Sequence, residues 1–507
     1  MVMPPLTAAN VQHLRAKSAP LPKGVAPNTS SNAFKSPHTR AQPKSRSLDH
    51  HFSIECAGFN GSDMKKSVSL SSSRNVISLG PGRPTAGYFP WERLAIETME
   101  PTGLIPSAQK SVVAPLIQSI SKSDDEYNLS LAMDYGHAVG SPHLLRFITE
   151  HVEIVHDPPY ANWGTCLTAG ATSAMEIVYR IFCNRGDNIL MEEYTYPGTL
   201  EGAKALGLKI HGVHIDAKGA SAEHLSHILS TWEISRGPKP TVFYTIPSGQ
   251  NPTGTTQSLE RRKKIYAIAE EHDLIIVEDD PYYFLRVGSR AEEPGNSTSI
   301  PTYLSLDPSG RVVRLDSASK ILAPGLRAGW ITASDVVIEK FIAYQEVSTV
   351  SCAGPSQLML WKLLDKSWGH DGFFTWLDNL SLEYQRRRDV LVDACEKYLP
   401  GDVCSWVEPA YGMFLWITLD WKKIHGLRIQ TDQNNPQKSI GDIEASIYST
   451  ALKNGVQVMK GSLFRCNEPL SSALHFRMTY AAAAEEDLEN GVRIFANAVE
   501  NEFALSG

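Results

Sequence analysis

An α/β fold is predicted: a large domain with a mostly parallel sheet flanked by helices, plus a smaller α+β domain. Three observations predict it. From about residue 160, short apolar runs alternate with segments of helical period, as in strands joined by crossover helices. From about 370 the texture changes to a long charged helix, then an apolar strand and a helix stopped by Gly455. The 507 residues exceed one small domain and suit two or three packed lobes.

Residues 1–74 read as an N-terminal arm and linker, ending in the Ser-rich "SVSLSSSRN". The first acidic residue is Asp49, and the stretch before it is basic and rich in Ser and Pro. A mitochondrial transit peptide shares that composition. Prolines at 4, 5, 20, 22, 27, 37 and 43 interrupt any amphipathic helix, so an extended arm on a cytoplasmic protein is expected. Residues 75–145 open with a strand-like "VISL" and the turn-rich "GPGRPTAGYFP", and are assigned to the first part of the small domain and an interdomain segment.

Residues 146–365 form the expected large domain. "TCLT" leads into "AGATSAMEIVYRIF", where Met175, Val178, Ile181 and Phe182 recur at helical spacing. "NILMEE", "LKIHGVHI", "TVFYTI", "LIIVE" and "RVVRLD" read as further strands, and "ERRKKIYAIAEEH" as an amphipathic helix. Residues 366–507 form the C-terminal small domain. It holds the helix "LDNLSLEYQRRRDVLVDACEKYL", the strand "GMFLWITL", the helix "IEASIYSTALKN" and the strand "LHFRMTY". In that last strand Leu474, Phe476 and Met478 face one side and Arg477 the other. The polar stretch 423–440 reads as a surface loop.

The bulk numbers exclude several classes. A net charge of −7 gives no footprint for nucleic acid, and no apolar run is long enough to span a bilayer. Seven scattered cysteines lack metal-ligand spacing and are odd in number, which suits reduced thiols in the cytoplasm. The histidines form no metal-like cluster, so no metal is expected.

The polar residues gather where strands end. Asn251 follows "TVFYTI", Asp279 follows "LIIVE", Ser317, Ser319 and Lys320 follow "RVVRLD", and Tyr196 lies just past "NILMEE". In a parallel sheet these loops share one edge, where ligands of such sheets bind. The helix opened by "AGAT" offers free N–H groups to a phosphate, and the two serines and Arg327 complete a cup. A lysine beside that cup can form a Schiff base, and an aspartate can keep a pyridine nitrogen protonated. These are the requirements of pyridoxal 5′-phosphate (PLP).

The motifs "PSGQNPTG", "EDDPYYFL" and "SASKILAPGLRAGW", in this order and spacing, resemble those of the fold-type-I, class I aminotransferases. The arm resembles that of the fungal aromatic amino-acid aminotransferases, which are related to the α-aminoadipate/kynurenine aminotransferases. The resemblance implies that Lys320 carries PLP and shuttles the proton. It implies that Asp279 pairs with the ring nitrogen, Asn251 and Tyr282 bond the phenolic oxygen, and Tyr196 stacks on the ring. Ser317, Ser319, Arg327 and the backbone at Ala171 and Thr172 would bind the phosphate. Tyr135, in "DYGHAVGSPHL", would reach it from the neighbouring subunit of a homodimer with composite sites. Arg477 would hold the substrate α-carboxylate, Asn251 would also contact substrate, and Gly82 would line the substrate pocket. The chain departs from its relatives at Ala171-Thr172, where Ser-Gln is common, and at Gly80–Gly82, "GPG" in place of "GGG" or "AGG". Residues 53–74 also match the family's closing segment poorly.

Blander readings stand beside some of these residues. Asp280 is expected to cap a turn before Pro281, and Arg386–Arg388 to form a solvated helix face. The implied activity is transfer of the amino group of an aromatic amino acid (Phe, Tyr or Trp, with kynurenine or α-aminoadipate as extensions) to 2-oxoglutarate or a similar 2-oxo acid. The alternatives are a PLP-dependent C–S lyase or other β-eliminating enzyme, and a PLP-binding regulator without catalysis.

Overall fold

The computed structural model describes residues 4–64, 79–80, 82–104, 116–290, 299–423, 440–466 and 474–503. Most of "VISL", Pro81 and nearly all of the 423–440 stretch lie outside these residues. Strands β1 (Arg93–Thr98) and β2 (Leu116–Ser121) pair antiparallel as a separate two-stranded sheet. The next strands along the chain are β3 (Trp163–Thr168), β4 (Asn188–Glu192), β5 (Lys209–Val213), β6 (Ile215–Asp216), β7 (Gly219–Ala220), β8 (Val242–Thr245), β9 (Ile275–Asp279), β10 (Val312–Ser317) and β11 (Gly329–Ser334). Strands β6 and β7 pair only with each other.

The other seven form one sheet in the order β3-β11-β10-β9-β8-β4-β5. Neighbours from β10 through β9, β8 and β4 to β5 are parallel, whereas β11 runs antiparallel to both β10 and β3. Every residue of β3, β4, β8, β9, β10 and β11 is buried, so both faces of the sheet are covered. That is why these strands read as unbroken apolar runs. The reversed strand has a positional effect. The carboxyl ends of the six parallel strands and the amino end of β11 emerge on the same edge.

The C-terminal region adds β12 (Cys404–Ser405), β13 (Phe414–Leu419), β14 (Met459–Lys460) and β15 (Leu474–Thr479), an antiparallel sheet ordered β12-β13-β15-β14. In β15, Leu474, Phe476 and Met478 are buried and the residues between them half-buried, the predicted alternation. Helices Ile440–Lys453 and Glu485–Phe503 pack with it, and the 30-residue helix Gly369–Tyr398 runs alongside. Among the described residues, no helix is long and apolar enough to cross a membrane. All seven cysteines are unpaired.

Two expectations are corrected here. Arg386–Arg388 is not a uniformly solvated face: Arg388 is fully buried and donates to the carbonyls of Gly288 (2.8 Å), Pro409 (2.8 Å) and Val287 (3.0 Å). Helical phase explains it, because Arg388 falls on the stripe of Leu377, Ser381, Gln385, Leu391 and Cys395 that the helix buries.

The described part of the arm is folded rather than simply extended, with short helices at Val11–Lys17, Pro37–Arg40 and Ile54–Gly58. It is fastened by polar contacts. Arg15 pairs with Glu150 and with Asp365 at 2.7 Å, Lys35 Nζ donates to the carbonyls of Trp163 and Ala161, and the Ser36 backbone N–H reaches Glu153 at 3.0 Å. His50 Nε2 lies 2.7 Å and His51 Nε2 3.2 Å from the Asp273 carboxylate, so three possible metal ligands do meet. Arg311 Nη1 is 3.5 Å from the same carboxylate, so Asp273 joins arm to body.

Candidate active site

The edge where β3, β4, β8, β9 and β10 end carries the predicted residues. At the end of β3, Gly170 precedes helix Ala171–Phe182 with φ +93°, and no side chain caps that helix. Its first bonded N–H is that of Ala174, to Gly170 O at 3.1 Å, so the N–H groups of Ala171, Thr172 and Ser173 lead out of the helix. Arg327, in the turn before β11, lies against this terminus and donates to Ala169 O (3.2 Å) and Pro324 O (3.2 Å). A Cβ on Gly170 would stand 2.5 Å from Arg327 Nη2, so glycine is required for that approach. Ser317 Oγ accepts the Ser319 N–H at 3.2 Å at the end of β10. Free N–H groups, two hydroxyls and a guanidinium at one helix end fit a phosphate.

Beyond β4, Tyr196 sits at the start of helix Pro197–Ala205. A Cβ on Gly198 would meet its ring at 2.7 Å, so this glycine makes room for the ring. Beyond β8, Asn251 is buried, precedes a cis peptide to Pro252, and accepts from Arg477 Nη1 at 2.7 Å. Arginine can only donate, so the Asn251 oxygen faces Arg477 and its NH2 points elsewhere.

Arg477 comes from β15 and lies over the rings of Phe414 (4.3 Å) and Phe464 (4.7 Å). Its Nε is buried without a partner, and among the described residues no carboxylate pairs with it. Burial lowers its proton affinity. A half-buried, unneutralised guanidinium fits an incoming carboxylate.

Lys320 is half-buried. Burial, then the positive charges of Arg477 and Arg327, lower its proton affinity, which favours a nucleophilic amine. Asp279 ends β9. Burial raises its pKa to about 6, against the opposing hydrogen bond from Tyr244, whose hydroxyl lies 2.5 Å from Oδ2. Its other oxygen, Oδ1, is buried with no partner in the protein. A buried carboxylate oxygen left this way fits a cationic ring N–H, so the donor set matches a phosphorylated pyridinium cofactor. Tyr282 is buried nearby. Burial and then the Asp279 charge push its hydroxyl up, whereas Arg477 and Asn251 act the other way.

Two predicted residues stand apart. Gly82 is exposed, and nothing lies within 4 Å of where its Cβ would be, so no site residue touches it there. Tyr135 is 58% exposed on the loop before helix Pro142–His156. Asp280 needs correction as well. Its side chain does not cap a turn; Oδ2 accepts from Ser248 Oγ (3.1 Å) and Arg314 Nη1 (3.3 Å). Fully buried Arg314 also pairs with Glu278 (3.2 Å) and Asp316 (2.8 Å), which offsets the cost of burying carboxylates beneath the site.

Sequence reasoning missed this quartet, and it missed Tyr244 and Glu192. Glu192, at the end of β4, accepts from Thr245 Oγ1 (2.7 Å), Gln250 Nε2 (2.9 Å) and the Ile246 N–H (3.1 Å), supporting the loop that carries Asn251. The doubled acid in "NILMEE", at a strand end, was the available signal.

A model of the family described as aminotransferase class I and II matches residues 115–495. An aminotransferase of Metarhizium robertsii, swnA, is 46% identical over 93% of this chain and 95% of its own. An aromatic amino acid aminotransferase of Schizosaccharomyces pombe is 38% identical over 91% of this chain and 99% of its own. The crystal structure of the aminotransferase Aro8 from Candida albicans superposes with a TM-score of 0.83 at 35% identity, covering 92% of this chain and 100% of that one. A cofactor-shaped sheet edge, reached by an arginine from β15 of the C-terminal sheet, thus coincides with similarity along nearly the whole chain, and the protein belongs to the class I and II aminotransferases.

Proposed function

We propose that this aminotransferase uses PLP and moves the amino group of an aromatic L-amino acid to 2-oxoglutarate. The observation that carries the reading is Arg477, a half-buried cation unpaired by any described carboxylate and bonded to Asn251. Ala171, Thr172, Ser317, Ser319 and Arg327 would hold the phosphate, Asp279 the ring nitrogen, Asn251 and Tyr282 the phenolic oxygen, and Tyr196 the ring face. When bound, PLP supplies an electron sink for the pair left on the donor Cα. Lys320 Nζ, its proton affinity already lowered, takes up the Cα proton. Arg477 orients the α-carboxylate so that the Cα–H faces Lys320. The aromatic donor is supported by the Schizosaccharomyces pombe relative's name and by Phe414 and Phe464 around Arg477. A homodimer in which Tyr135 serves the partner's phosphate is part of the same reading, as is a cytoplasmic location.

The test is a donor panel with 2-oxoglutarate: Phe, Tyr, Trp, kynurenine, α-aminoadipate, Leu, Met and Asp. Oxo acid, glutamate and ammonia are measured. Phe, Tyr or Trp should lead, with glutamate formed one for one. Aspartate as the best donor would sink the aromatic assignment, and ammonia without glutamate would favour elimination. Lys320→Ala should abolish borohydride fixation of the cofactor to the chain.

A further inference from the structure

We propose that Tyr244 is a positioning residue that keeps Asp279 an ionised carboxylate with one oxygen aimed at the cofactor ring. The inference rests on the reading above, in which Asp279 receives the ring nitrogen. Tyr244 lies inside β8, fully buried, in an apolar run where phenylalanine would pack as well. Packing alone therefore gives no reason for its hydroxyl. The hydroxyl stands 2.5 Å from Asp279 Oδ2 and 3.2 Å from Thr199 Oγ1, and the carbonyl of Thr199 is held by Tyr179 OH at 2.8 Å.

The direction of this chain is forced. An ionised carboxylate only accepts, so Tyr244 spends its single proton on Asp279, and its lone pair takes the Thr199 proton. Burial and the Asp279 charge hold the Tyr244 hydroxyl well above its usual range, so it remains a donor. Its bond to Oδ2 leaves Oδ1 as the oxygen without a protein partner. The other groups facing Asp279 do not replace it. Asp316 opposes ionisation, and Arg314 favours it but is already paired with Glu278, Asp280 and Asp316.

Two effects follow from one bond. The carboxylate cannot rotate, so Oδ1 keeps its aim. Its basicity also falls, so a proton shared with the ring nitrogen stays on nitrogen rather than passing to oxygen.

The test compares Tyr244→Phe, Thr199→Val and Asp279→Asn with the native protein, reading the cofactor dissociation constant, the pH midpoint of the visible band and the melting temperature of the apoenzyme. Tyr244→Phe should weaken cofactor binding about tenfold and move the midpoint upward, with the apoenzyme still folded. Thr199→Val leaves the Tyr244 ring in place and should move both readouts the same way, by roughly two- to threefold in affinity. Native values in both variants, alongside a clear defect in Asp279→Asn, would overturn the role of Tyr244 alone. Native values in Asp279→Asn would overturn the Asp279 assignment and this inference with it.

Discussion

Asp279 is ionisable under conditions that resist its ionisation, and that tension can be measured. Its folded pKa, about 6, lies above the unfolded value near 3.9, so the folded apoenzyme binds the extra proton between those values. Stability from this group is therefore highest below the unfolded value and is lost as pH rises through about 6. Asp279→Asn should make the apoenzyme more stable than native at pH 7, by about 1–3 kcal/mol, with the advantage fading toward pH 4. Denaturant titrations across that range check it. The same variant should slow the amino-transfer half-reaction by about a hundredfold or more in a stopped-flow assay. At Gly170, Ala should crowd Arg327 and strain a φ of +93°, weakening cofactor affinity with a modest loss of stability. Lys320, Asp279, Asn251 and Ser317 were legible because each is a polar residue at or just past the end of an apolar run. Tyr244 was not, because a tyrosine within such a run looks like packing, and its partner is 35 positions away.

At the scale of elements, legibility followed the source of each contact. Strands β3, β4, β8, β9 and β10 were readable because two-sided burial makes them apolar throughout. Strand β11 follows the cofactor motif without a break and was absorbed into it. The folded arm was unreadable because its anchors are polar and distant, such as Lys35 on Trp163 O and Arg15 on Glu150. Removing residues 1–47 would leave the buried carboxylates of Glu150 and Glu153 without those partners and expose the sites of Leu6 and Val11. Such a truncation should lower the melting temperature by about 5 °C or more in a calorimetric scan. Arg388 was misread because three consecutive arginines suggest solvent, although the helical phase of its neighbours placed it inward. Arg388→Met should destabilise by about 3 kcal/mol, since two buried carbonyls and a half-buried one lose their donor, and urea unfolding checks it.

Across the whole molecule, the proposed shared site makes a prediction that no single-subunit defect can imitate. Tyr135→Ala and Lys320→Ala, each inactive alone, should regain partial activity when their subunits exchange, because each mixed dimer holds one intact site. No recovery after verified exchange would argue for self-contained sites. The two main sheets are linked at another point of consequence, the bond from Arg477 of β15 to Asn251 beyond β8. The amide oxygen occupies one corner of the arginine's fork as a neutral placeholder. It holds the guanidinium in position, yet it is weak enough to leave the other donors for an arriving acid. Asn251→Asp would put a negative charge on that placeholder, remove the amide donor on its other side, and turn it into a tethered product mimic. The enzyme would then carry its own competitive inhibitor, with KM rising for every donor and acceptor alike.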